Sequence, residues 1–151
     1  MKLAEALAER ADAMRHYEQL QLRLYRSARV QEGDTPPEDP HELMDEANHV
    51  LDRTDMLIRR INKTNASTMF DENMTITDAI ALRDMQLKRR KMYAEVASRA
   101  GTTQDRYSRS EIKVVSAMNV RELQQEADRL AGTYRKLDTE IQRLNWMIDL
   151  L

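Results

Sequence analysis

Between Leu123 and Ile148 the apolar residues Leu123, Ala127, Leu130, Tyr134, Leu137, Ile141, Leu144 and Ile148 are spaced 4-3-4-3-4-3-4 without a miss. A strand places neighbours on opposite faces with period two, so this spacing makes one continuous apolar face only on an α-helix. Asn119, followed three residues later by Glu122, has the form of a capping box and sets the helix start, giving a helix over about 120–149. At 1.5 Å per residue such a rod is roughly 45 Å long. That is more than a 151-residue monomer usually needs. Part of the seam is therefore expected to meet another subunit.

Three further helices follow from the same reasoning. Residues 2–30 carry Leu3, Leu7, Met14, Tyr17, Leu20, Leu24 and Ala28 three, four or seven apart, and Gly33 with Pro36-Pro37 ends the run. Asp39 as N-cap, Pro40 at the first helical position and Glu42 closing a capping box start a second helix over 40–63, with Leu43, Ala47, Val50, Thr54, Leu57 and Ile61 as its seam. Residues 78–99 form a third, with Ile80, Leu82, Met85, Leu87, Met92, Tyr93 and Val96 as its apolar set and Gly101 as its stop. Between them, the β-branched and small polar residues of 67–76 around Asp71-Glu72-Asn73 predict a short hairpin. Ile112, Val114 and Val115 predict one short strand over 111–117. The expected fold is mainly α: a single domain, 1–151, that is an antiparallel bundle of four long helices with a short β-hairpin and one extra short strand. A sheet formed between subunits would reconcile extended pieces that up-down order puts at opposite ends of the bundle.

Composition narrows the function classes. The chain is 33% charged and 5% aromatic, with three Gly, three Pro and ten Met, a bias towards helix formers and flexible core fillers. The lack of cysteine removes disulfides, thiolate nucleophiles and Cys-ligated metals, and fits a reducing compartment. The opening Met1-Lys2-Leu3-Ala4-Glu5 turns acidic where an export signal needs an apolar run, and no window is long and apolar enough for a membrane span. A cytoplasmic location is expected. The sequons at Asn62, Asn65 and Asn73 would matter only outside the cell. Net charge is −2, from 24 bases and 26 acids, which does not favour nucleic acid as a partner. The charges are segregated, however. Residues 32–55 hold nine acids and one base, and residues 81–113 nine bases and four acids, so the two stretches are expected to face each other within or between subunits.

Three clusters carry chemistry-bearing residue types. Glu42, Asp45, Glu46 and His49 share a helical face, and Glu46-x-x-His49 has the spacing of helix-bundle dinuclear metal sites. With one such pair, a complete site at Glu42, Glu46 and His49 would be shared across a two-fold axis; a solvated acidic face is the simpler account. The segment Arg106, Tyr107, Ser108, Arg109 with Lys113, supported by Lys88-Arg89-Arg90-Lys91, has the donors to hold an anion or nucleic acid, or to clasp acids and helix-end carbonyls. Asn62, Thr64 and Asn65 form a polar knot at the end of the second helix, suited to satisfying loose backbone groups or contacting a ligand. No Ser-His-Asp set, glycine-rich phosphate loop or HExxH motif is present, and no cofactor is expected. These features point to a non-enzymatic, self-associating protein, a dimer or larger.

Several stretches together, Met1 to Leu7, Val30-Gln31-Glu32-Gly33 leading to Glu38-Asp39-Pro40, Ile61 to Asn65, Gln104 to Lys113, and Asn145-Trp146 before Leu150-Leu151, resemble the septicolysin-like family of small bacterial proteins along essentially the whole chain. The resemblance implies a bacterial protein and supplies no catalytic or binding residues. The family label suggests a membrane-opening toxin. A thiol-activated toxin would need a cysteine and a secreted one an export signal, so pore formation is disfavoured.

Overall fold

The computed structural model describes residues 1–102 and 112–151. They form four helices: α1 (Leu3–Ser27), α2 (Pro40–Ser67), α3 (Ile76–Ala100) and α4 (Val120–Met147). The chain divides into two compact units. One comprises Met1–Met69 with Gln142–Leu151, the other Phe70–Ile141, so α4 contributes to both.

In the first unit α1 and α2 run antiparallel. Leu20, Leu43 and Ala47 are buried together, with Tyr17, Leu24 and Val50 half-buried around them. At the other end Leu3, Ala6, Leu57, Ile61 and Leu150 form a second core. The first and last residues of the described chain hold this end shut. Leu3 N donates to Ile148 O at 2.9 Å and Leu150 N to Met1 O at 2.9 Å, a single antiparallel bridge between Lys2 and Asp149. Lys2 Nζ adds an ion pair to Asp149 at 2.9 Å. The helix starts are locally determined. Lys2 N donates to the Glu5 carboxylate at 2.7 Å for α1. For α2 the Asp39 carboxylate accepts from His41 N at 2.8 Å, so the cap works through the second helical amide rather than through a reciprocal Glu42 bond.

The expected hairpin does not form. α2 continues to Ser67, because Thr64 and Ser67 turn their hydroxyls back onto Arg60 O and Lys63 O, both at 2.8 Å, and stay helical. In the second unit the Asp71 carboxylate then accepts from Asn73 N and Met74 N at 2.8 and 3.0 Å, and Phe70 N donates to Met74 O at 2.9 Å. The result is a side-chain-closed turn rather than a pair of strands. Thr75 leaves it at once to cap α3: its N and Oγ1 donate to Asp78 at 2.9 and 2.7 Å, and Asp78 N returns a bond to Thr75 Oγ1 at 3.3 Å. The expected strand over 111–117 is absent as well. Residue 111 lies outside the described residues, and 112–117 take no strand pairing, with Ile112, Val114 and Val115 all more than three-quarters exposed. A β-branched run supplies propensity, but propensity makes a strand only where the stretch pairs in register with a neighbour, and 112–117 are irregular.

α3 and α4 of the second unit are antiparallel too: Arg83 reaches Asp138, while Ala97 lines one groove with Ala127. Leu123, Ala127, Leu130 and Ile141 of α4 are buried, as its heptad spacing requires. α3 is different from its expected face. Its buried residues are Ile76, Ala79 and Ala97, whereas Leu82, Met85 and Met92 are 36, 43 and 55% exposed. Residues 76, 79, 83, 86, 93 and 97 are buried or half-buried along one face, a row of Ile, Ala, Arg, Gln, Tyr and Ala, while Arg90 in the same series is exposed. Small and polar residues hold much of this row, while Leu82, Met85 and Met92 are exposed and Ile80, Leu87 and Val96 half-buried.

Candidate interaction surfaces

The α1–α2 pair has two unlike edges, and the sequence spacing explains both. Glu9, His16 and Arg23 recur every seven residues on α1 and lie along one edge. Opposite them on α2 stand Arg53 and Glu46, also seven apart, and then Glu38 just before the helix. Arg53 Nε donates to Glu9 Oε1 at 2.6 Å, His16 Nε2 lies 3.2 Å from Glu46 Oε1, and Arg23 Nε donates to Glu38 Oε2 at 2.9 Å. The Arg23 hydrogen bond holds the Glu38 carboxyl below its ordinary range, and Glu38 in return holds the guanidinium above its own. Exposed pairs of this kind are screened by solvent and each adds little stability. Their regular spacing nevertheless fixes the register of the two helices and leaves this edge satisfied. The open groove beneath the ladder, about 340 Å³, is lined by charges of both signs from Glu9, Asp12, His16 and Arg53.

The other edge of α2 is apolar and uncovered. Met44, Leu51 and Ile58 follow one another at sevens, about 80° around the helix from the row of Leu43, Ala47, Leu57 and Ile61 that packs on α1. They are 48, 39 and 37% exposed, where the packed row is at most 5% exposed. Asp45, Asp52 and Asp55 border the stripe. Asp55 pairs with Arg59 at 3.0 Å, while Asp45 and Asp52 have no ion-pair partner among the described residues. The next residue in the series, Asn65, has a buried Oδ1 with no hydrogen-bond partner.

α3 carries a second such stripe on its outer side, Leu82, Met85 and Met92 with Arg89 between them. Here the border is basic. Lys88, Arg89, Arg90 and Lys91 are all exposed, and none has an ion-pair partner among the described residues. On the inner side Arg83 is tied down, with Nη1 2.9 Å from Asp138 Oδ1 and Nη2 2.9 Å from Asp84 Oδ1. Partial burial works against its charge, and the two carboxylates outweigh that, so its pKa is raised.

The residues singled out from sequence are scattered. Glu42, Glu46 and His49 are exposed on α2, and Glu46 is engaged by His16, a contact that sequence reasoning missed. Among the described residues no three His, Asp or Glu side chains come together to hold a metal ion. Asn62 is exposed. Thr64, fully buried between Asn62 and Asn65, accepts from Leu151 N at 3.0 Å, and Arg60 Nε donates to Leu151 O at 2.8 Å. Of the three, Thr64 holds backbone, while Asn65 Oδ1 is buried without a hydrogen-bond partner. Lys113 is exposed, while Arg106, Tyr107, Ser108 and Arg109 lie outside the described residues. The ladder of Glu9, His16 and Arg23 was findable: three charged residues at sevens beside an apolar seam, complementary to a descending series on α2.

No helix among the described residues is long and apolar enough to cross a membrane. No match was found among curated proteins. Among solved structures, the chain is 50% identical to a functionally unknown conserved protein from Corynebacterium diphtheriae, with a TM-score of 0.94 over 100% of this chain and 99% of that one. The profile that matches the sequence spans residues 10–150 and is not that of the septicolysin-like proteins, so the expected membership, read from short stretches, is corrected. The chain belongs to a family of unknown function, DUF6847.

Proposed function

We propose that this protein is a cytoplasmic, self-associating helical protein that acts through protein–protein contact rather than through chemistry of its own. The observation that carries the reading is the pair of apolar stripes, Met44–Leu51–Ile58 spaced at sevens and Leu82–Met85–Met92 spaced three and seven, left 36 to 55% exposed beside helix faces that are already packed. Scattered surface leucines need no explanation, but large apolar residues repeated at threes and sevens along one side of a helix are the pattern of a helix that packs on a second neighbour. The satisfied ion-pair edge of the α1–α2 pair sharpens the contrast, since one edge is finished with charge and the other is bare. Light scattering on the purified protein tests this. A mass that is a multiple of 17.7 kDa at micromolar concentration supports it, and a folded protein of single-chain mass refutes it.

A second reading, an anion or nucleic-acid binding module, draws on the exposed and unpaired Lys88, Arg89, Arg90 and Lys91 together with Lys113. Four consecutive residues spread over about 300° of the helix circumference, so these bases form a collar rather than a face matched to a phosphate backbone. Oligonucleotide binding whose affinity falls steeply with salt and with Arg89→Ala would support it; indifference to both would discard it.

A further inference from the structure

We infer that the α2 stripe of one copy docks on the outer α3 stripe of a second copy. The inference rests on the self-association proposed above and specifies its geometry.

Two pairings of like chains can cover the α2 stripe, α2 with α2 or α2 with α3. Charge decides between them. In a self-paired α2 the acidic border of one helix runs beside the same border of its twin, so Asp52 and Asp55 of both copies crowd the middle of the contact around Leu51. Like charges placed opposite one another oppose association and select against that partner. The α3 stripe offers the opposite sign. Arg89 sits within it and Lys88 beside it, both exposed and without an ion-pair partner among the described residues. Asp45 and Asp52 on the α2 side likewise have no ion-pair partner among the described residues. Both stripes present three large side chains, Met, Leu and Ile against Leu, Met and Met, and unbranched methionine adapts to an irregular partner surface.

The cysteine-free chain allows a direct test by single-cysteine cross-linking in the full-length protein. Leu51→Cys and Met85→Cys variants, one carrying a mass tag, are prepared separately, mixed and mildly oxidised. The expected result is a disulfide-linked product of mixed mass, formed at least ten times more readily than linked Leu51→Cys homodimer from that variant alone. Charge exchange gives an independent readout. Asp55→Lys and Arg89→Glu should each raise the dissociation constant several-fold, and the double variant should recover most of the loss. Efficient Leu51→Cys self-linking without mixed product would overturn the α2–α3 pairing in favour of α2–α2. An oligomer by light scattering that yields neither product would overturn this inference and leave self-association standing, whereas a monomer at every concentration would remove both. Mixed linking that is unaffected by either charge change would sink the electrostatic argument for choosing α3.

Discussion

Leu57 and Leu51 are the same residue on the same helix, six positions apart, and truncating each to alanine should produce losses of different kinds. Leu57 is 2% exposed and packs with Leu3 and Ala6 of α1, Ile61 of α2 and Leu150 of the C-terminal stretch. Leu57→Ala removes its transfer free energy and opens a cavity whose walls come from three separate stretches of chain, which restricts collapse. A loss of about 3 to 4 kcal/mol is expected, within the range for buried leucines. For a chain of this length that lowers the thermal midpoint by roughly 6 to 15 °C. Leu51 is 39% exposed, so in the isolated protomer its truncation forfeits partial burial, about 1 kcal/mol or less. Its effect should appear in association instead. Urea titrations followed by circular dichroism and by Trp146 fluorescence, run at two protein concentrations tenfold apart, separate the cases. Leu57→Ala should lower the midpoint at both concentrations, while Leu51→Ala should chiefly abolish the rise in midpoint with concentration. Equal losses from the two substitutions at both concentrations would refute the assignment of one face to the core and the other to a partner.

Other consequences follow from single contacts. Thr64→Val deletes the oxygen that accepts Leu151 N and should cost about 1 kcal/mol in urea unfolding, whereas Thr64→Ser keeps the hydroxyl and should lose only the methyl contribution, about 0.8 kcal/mol; a Val variant as stable as the parent would show that the bond adds nothing. Gly33 has φ of +92° with open space around its α-carbon, so Gly33→Ala meets no atom and should cost about 1 to 2 kcal/mol from backbone strain alone, and an unchanged midpoint would contradict that. Glu38, Asp78 and Asp149 have carboxyls held below their ordinary values of 4.5 and 3.8, by hydrogen bonds from Arg23, Thr75 and Lys2 respectively. Groups depressed on folding stabilise fully above those values and lose that contribution as pH falls through the folded-state pKa, so the urea midpoint should hold down to about pH 5 and drop below about 4.5; a midpoint that rose on acidification would contradict the sign.

Much of the fold was legible because apolar period and packing coincide on α2 and α4. Leu43, Ala47, Leu57 and Ile61 are buried, as are Leu123, Leu130 and Ile141. α3 was not legible in that way. Its inner row is Ala79, Arg83, Gln86 and Tyr93, and a reading that weights bulk places Leu82, Met85 and Met92 inside instead. The hairpin expected over 67–76 failed because local side-chain bonds from Thr64, Ser67, Asp71 and Thr75 satisfied the backbone first. β-branched composition cannot register that competition. The septicolysin-like resemblance failed for another reason: short matching stretches carry less information than a profile spanning 10–150. The interaction surfaces were half visible. The acidic and basic blocks stood out in the sequence, but which apolar residues remain uncovered depends on which ones the fold has already used.

Sedimentation equilibrium of the parent protein beside a Leu51→Lys variant tests the central claim most directly. The account predicts a parent mass that is a multiple of 17.7 kDa and a variant of single-chain mass with unchanged helical content, because lysine at an exposed position spares the protomer and charges the contact. Equal masses for the two proteins, whether single or multiple, would contradict it.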